Sequence, residues 1–189
     1  MIVSPEVLQN ITSVADAVAK KEGVEIYDIE FTTGPDGRVL RVYIDKEAGI
    51  GIDECSKVAR GLNEMLDADE NIIPGANYHL EVSSPGVERP LKTVKHFSKV
   101  IGKKIWIKLD KSLFDFGLQN PKFKIAKQLT EVLSEVENAD LKFKVEDEVL
   151  TIPISAVSKS HVVFEIAEPE KKDKKDNKKE KKDHKKNKN

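Results

Sequence analysis

A single cysteine, Cys55, in 189 residues leaves no partner for an intramolecular disulfide and no CxxC pair for a structural zinc. Such cysteine usage fits a reducing compartment, and the cytoplasm is the expected location. No apolar run approaches the roughly 18–20 residues that cross a bilayer. The N-terminus has neither the basic region nor the apolar core of a secretory signal, so no membrane attachment is expected. His79, His96, His161 and His184 are scattered, with no HExxH or comparable ligand spacing; no metal and no cofactor are expected. The GxSxG elbow, the P-loop and the GxGxxG fingerprint are all missing. Gly49-Ile50-Gly51 merely precedes a helix, where Asp53 and Glu54 compete with any anion drawn to the helix N-terminus. Aromatic residues make up only 6% and are interleaved with acids as often as with bases, against a broad base-stacking platform. Tyr43 and Trp106, on the minority phase of their strands, are the rings placed either to be exposed or to pack at an interface. No titratable cluster converges, and the chain is not expected to be an enzyme.

Charge is plentiful, at 34% of residues, and it is segregated. Residues 171–189 hold 11 lysines against four acids, whereas residues 1–170 hold 21 basic against 29 acidic residues. An acidic body repels a phosphate backbone and suits a basic protein; a lysine tail attracts RNA. Residues 168–189 have no apolar residue after Pro169 and cannot offset their ordering entropy, so a disordered tail is expected. Within it Lys171, Lys172, Lys174, Lys175, Lys178 and Lys179 are candidate RNA contacts; a solubilising, solvated tail is the alternative.

Ser4-Pro5-Glu6 reads as a helix start, with Val7, Leu8, Ile11, Val14, Ala15 and Val18 at helical spacing and Gly23 as the stop. Tyr27, Ile29 and Phe31 then alternate with Asp28 and Glu30. After the turn Gly34-Pro35-Asp36-Gly37, Leu40, Val42 and Ile44 alternate with Arg41, Tyr43 and Asp45, which predicts a hairpin. A second amphipathic helix follows Asp53, with the stripe Cys55, Val58, Ala59, Leu62, Met65 and Leu66. On that stripe Cys55 reads as a small buried hydrophobe. Tyr78, Leu80 and Val82 make a third strand. The order α-β-β-α-β describes an α+β domain over residues 1–91. Further on, Ile105 to Leu109, Leu141 to Val145, Val149 to Ile154 and Val162 to Ile166 read as short strands, and residues 92–167 as a small β-barrel domain. Ile125, Ala126, Leu129, Val132, Leu133 and Val136 fit helical spacing instead, so periodicity alone predicts a helix over 122–137.

The two parts meet at Leu80-Glu81-Val82-Ser83-Ser84-Pro85-Gly86-Val87-Glu88-Arg89-Pro90-Leu91. A strand ends here in a turn where Pro85 fixes one dihedral and Gly86 permits the next. A nucleophilic serine is disfavoured, because no His–Asp pairing accompanies Ser83 or Ser84. Two readings remain: a structural joint, or a joint that also presents Ser83, Ser84, Pro85, Gly86, Glu88, Arg89 and Pro90 to a partner, with Arg89 suited to phosphate or carboxylate.

This run resembles the signature of the bacterial ribosome maturation factor RimP family, and the resemblance extends over about residues 5–166. It is supported by Val39-Leu40-Arg41-Val42-Tyr43-Ile44-Asp45, by Asp53-Glu54-Cys55 leading to Leu66-Asp67, by Ile73-Pro74-Gly75 and by Ile152-Pro153-Ile154. The resemblance implies an α+β N-terminal domain, an SH3-like or Sm-like C-terminal barrel and no cofactor. It further implies a role in maturing the small bacterial ribosomal subunit, with that subunit's precursor, through ribosomal protein and rRNA, as partner of a monomer. Residues 129–153 align with the family without a gap, which favours a strand over Leu129–Glu137. Glu131 stands where the family usually has glycine. Asn120-Pro121-Lys122-Phe123-Lys124 replaces the usual arginines, a loss that the lysine tail is expected to offset in part. A general RNA-binding regulator that uses the barrel and tail is the rival expectation.

Overall fold

The computed structural model describes residues 4–34, 37–69, 71–75 and 77–164. The tail, with Lys171, Lys172, Lys174, Lys175, Lys178 and Lys179, lies outside the described residues, as does Ile166.

Helix α1, Pro5–Glu22, starts where Ser4 accepts a hydrogen bond from the Val7 amide and stops at Gly23, whose φ of 69° is left-handed. Strands β1, Glu25–Gly34, and β2, Gly37–Asp45, pair antiparallel. Helix α2, Ile52–Asp67, crosses back so that β3, Tyr78–Ser83, lies parallel to β2. The sheet order is β1-β2-β3. Both helices pack with it: Ile11, Ala15, Val18 and Ala19 of α1 and Val58, Leu62 and Leu66 of α2 form one cluster with Leu40, Val42 and Ile44 of β2. Full burial of each large aliphatic side chain here stabilises by about 2 kcal/mol. The helices approach closely at Gly61, where an added Cβ would sit 2.9 Å from a methyl of Val18.

The alternation in β1 does not run as its sequence suggests. A bulge falls between Ile26 and Asp28, so Ile26 pairs with Ile44 and Asp28 with Tyr43. Ile26, Ile29 and Phe31 share the core face, and Tyr27, the extra residue, is buried elsewhere.

Beyond the joint, a short helix α3, Val94–Ser98, leads into β4, Lys104–Leu109, β5, Gln128–Glu137, β6, Asp140–Val145, β7, Glu148–Pro153, and β8, Val157–Val162. These make one antiparallel sheet in the order β7-β6-β5-β4-β8, with a 3-10 turn at Ile154–Ala156 before β8. Both sheets of the chain are open as described. A second core cluster, from Leu91 and Phe97 to Ile152, fills this half.

Residues 122–137 are not a helix. Pro121–Phe123 is a 3-10 turn, Ile125 is exposed, and β5 begins at Gln128. A bulge between Leu133 and Glu135 puts Leu129, Leu133 and Val136 on the core side at spacings of four and three, which imitates a helical stripe. Glu131 occupies the intervening place opposite Ile105. The last strand also lies earlier than its apolar residues suggest, over Val157–Val162. Ser158 and Lys159 point outward, and the buried Ser160 is tolerated because its hydroxyl donates to the Leu91 carbonyl at 2.5 Å.

Candidate functional site

The joint is two things in succession. Ser83 ends β3, and Ser84, Gly86, Val87 and Glu88 are exposed while Pro85 is half-buried. Gly86 has a φ of 74°, a conformation that a side chain would strain. From Arg89 onward the chain is fixed. The Val162 amide donates to the Arg89 carbonyl at 3.2 Å and the Leu91 amide to the Ser160 carbonyl at 3.1 Å, with Pro90 bridged to His161. Residues 89–91 therefore run as an added strand beside β8 and belong mechanically to the C-terminal half.

The same residues grip the N-terminal sheet. The Arg89 guanidinium meets the Asp45 carboxylate at 2.7 Å and lies over the Tyr27 ring, 5.5 Å from its centre. The Tyr27 hydroxyl donates to the Pro90 carbonyl at 2.6 Å. Lys92 bonds Asp28 and, at 2.9 Å, Glu30. Lys95 of α3 and Lys99, the residue that caps its C-terminus, both reach Glu25, at 3.0 and 2.7 Å. The bulge in β1 aims Tyr27 at this contact, and the core of its own half does not hold it.

His96 completes the contact. Its ring stacks on Tyr27, 4.1 Å between centres and 2° from parallel. Thr93 caps its helix by accepting from the His96 amide. Nδ1 of His96 must accept, because its neighbour is the Lys92 N–H at 3.1 Å; the ring proton is therefore on Nε2, which donates to the Tyr27 carbonyl at 2.9 Å. Burial lowers the His96 pKa, opposed by the bond to Tyr27. Burial likewise pushes the Tyr27 phenol up to about 12. For Lys92 burial works downward, yet the bonds to Asp28 and Glu30 together leave its pKa raised. The bonds from Lys99 and Lys95 take Glu25 down to about 2.

Beside this contact a cleft of about 1130 Å³ runs between the halves, lined by Tyr27, Asp45, Ser84, Arg89, His96 and Phe164 among others. Nothing in it resembles a nucleophilic site: both His96 nitrogens are committed, and neither is bonded to Ser83 or Ser84. At the N-terminus of α2 the Glu54 carboxylate accepts from the Gly51 amide at 3.1 Å and so occupies the place an anion would take. Cys55 is half-buried rather than buried, packed against the edge of the N-terminal core, and desolvation raises its thiol pKa. Among the described residues no group of three or more His, Cys, Asp or Glu is placed to hold a metal ion, and no helix is long and apolar enough to cross a membrane.

Sequence reasoning singled out Arg89 and Pro90 but missed their partners Tyr27, Asp45 and His96. One signal was available. Val24 and Ile26 keep one phase and Ile29 and Phe31 the other, a slip that a strand makes only through a bulge. Trp106 and His161, seen separately in the sequence, are stacked across β4 and β8 at 4.9 Å. Tyr43 is half-buried, opposite Asp28. Residues 14–88 match the family model described as the RimP N-terminal domain. The match ends at Glu88, one residue before the chain joins the C-terminal sheet.

Proposed function

On the match of residues 14–88 to the RimP N-terminal domain, we propose that this chain is a ribosome maturation factor of the RimP family that binds the precursor of the small ribosomal subunit and performs no covalent chemistry. The match over residues 14–88 is the observation that carries this reading. Three further features support it. The body is acidic, which suits a basic ribosomal protein. The two halves are tied by a stacked pair, hydrogen bonds and ion pairs, as a factor with one composite surface requires. In the exposed part of the joint Ser84 and Gly86 line the cleft, and with Ser83 and Glu88 they can touch a partner, while Arg89 and Pro90 hold the halves.

We read residues 1–91 as the α+β domain, 92–167 as an SH3-like, Sm-like barrel and 168–189 as a basic tail. The five short antiparallel strands and the 3-10 turn before the last of them support the barrel. The factor works as a cytoplasmic monomer without a cofactor. It biases subunit folding because it binds an intermediate more tightly than the mature particle; equal affinity would shift nothing. Its contacts are ribosomal protein and rRNA, the latter reached in part by the tail lysines.

Sedimentation with purified small-subunit precursors, with free rRNA as competitor, tests the reading. Co-migration that persists in excess free RNA is the expected result. Binding that free RNA abolishes would favour the rival, a general RNA-binding regulator that uses the barrel and tail. Removal of residues 171–189 should weaken co-migration more at low salt than at high salt; unchanged affinity at both salts would remove the tail from the account.

A further inference from the structure

The outer face of the C-terminal sheet carries an arrangement that stability does not explain. Alternate rungs of the β4–β8 ladder pair Trp106 with His161 and Lys108 with Lys159, with the Ile107–Ser160 pair between them. Residues two apart on a strand share a face, so the ring pair and the lysine pair are neighbours. Like charges directly opposite one another destabilise an antiparallel pair. Both lysines are exposed, and neither makes an ion pair among the described residues. On the same face Lys142 is paired with Glu135 and Glu137, so carboxylates were available to the sheet as a remedy. Beside the rings opens a cavity of about 450 Å³, lined by Trp106, His161, Lys159, Pro90, Lys92 and Ile154 among others. Glu88, at its rim, is the sole acid in that lining.

We propose that this face binds unpaired RNA, with a base stacked on the Trp106–His161 pair at the cavity and successive phosphates held by Lys108 and Lys159. Planar rings with an apolar cavity suit a base, and the lysine pair suits the backbone beside it. Lys92 is held by Asp28 and Glu30 and takes no phosphate. A polyanion laid across Lys108 and Lys159 removes the repulsion that the sheet otherwise bears. This deepens the reading of the chain as a factor for the small-subunit precursor and rests on it, because it names one of the rRNA contacts.

Trp106 is the only tryptophan of the chain, so its emission reports on this face alone. The full-length protein is titrated with a short oligoadenylate, and with polyglutamate as a polyanion without bases. Saturable quenching by the oligonucleotide but not by polyglutamate is expected. Lys108→Gln with Lys159→Gln, both at exposed sites, should weaken it about ten-fold and lower the salt slope by about 0.7 per lysine. Binding without a change in emission would assign RNA to the tail and overturn the proposal. Quenching that the double variant leaves intact, or that polyglutamate reproduces, would overturn it as well. Wild-type protein sedimented with small-subunit precursors separates the two levels. Co-migration without RNA quenching removes the platform and leaves the assembly role; loss of co-migration removes that role itself.

Discussion

The outer faces of the two sheets treat charge in opposite ways. On the N-terminal sheet Arg41 meets Glu81 across the β2–β3 ladder at 2.5 Å, and Asp28, Glu30 and Asp45 are taken up by Lys92 and Arg89 from the joint. That face is completed within the chain, and its completion fastens the C-terminal half to it. On the C-terminal sheet Lys142 is likewise paired, with Glu135 and Glu137, but Lys108 faces Lys159 and no acid among the described residues answers them. A chain selected for stability alone would have placed a carboxylate there. The acidic face serves internal docking, and the opposed lysines are the place where an outside polyanion is proposed to sit.

The contrast can be broken most strongly at the docked face. Tyr27→Ala removes the stack on His96, the bond to Pro90 and a buried ring, and should cost about 3–4 kcal/mol of unfolding free energy in urea. Tyr27→Phe, which loses only the hydroxyl bond, should cost about 1 kcal/mol. Equal effects of the two would show that the ring contributes nothing.

Acid should loosen the same face, by less than loss of the ring. The folded pKa of His96 is depressed below its ordinary 6.5, so the unfolded chain binds the extra proton first. Stability is complete above pH 6.5 and falls as pH drops below it, because burial disfavours the charged ring and a proton on Nδ1 opposes the Lys92 N–H. The contribution of Glu25 is lost only later, as pH falls from 4.5 towards about 2, and it is small because both partners are exposed. Unfolding followed between pH 7 and pH 5 should therefore decline in the wild type and stay flatter in His96→Gln. Parallel profiles would separate the decline from His96.

The ion pair of Arg89 with Asp45 is half-buried, and a double-mutant cycle to alanine should return a coupling of about 1 kcal/mol that shrinks in high salt. A coupling of zero would reduce the clamp to its rings. Smallest is the effect at the open face. Lys108→Glu places opposite charges across the ladder and should raise stability by a few tenths of a kcal/mol, while it weakens RNA binding. A loss of stability there would mean that the opposed lysines were not a burden.

These details were only partly legible in the chain. Local signals sufficed for α1, where Ser4 and Gly23 sit at the ends of a helical stripe, and for α2 and β2, whose apolar residues keep one period throughout. The hard places were those where a bulge changes the count. In β5 it spaces Leu129, Leu133 and Val136 like a helix; in β1 it moves Tyr27 from the core to the joint. β8 was obscured in another way, since Ser158, Lys159 and Ser160 look like a loop until Leu91 is found beside Ser160. At the joint, Arg89 and Pro90 were marked by their own composition. Their partners lie 44 and 63 residues away, and no local pattern joins them.

The account depends on the two halves forming one body, held by Tyr27, His96 and Arg89. Residual dipolar couplings measured in one alignment medium test this directly. Residues 14–83 and residues 94–162 of the wild type should report the same alignment tensor, in magnitude and in orientation, and Tyr27→Ala should split it into two. Tensors of different magnitude in the wild type would mean that the halves move independently, and the fixed composite surface proposed for the subunit precursor would not exist.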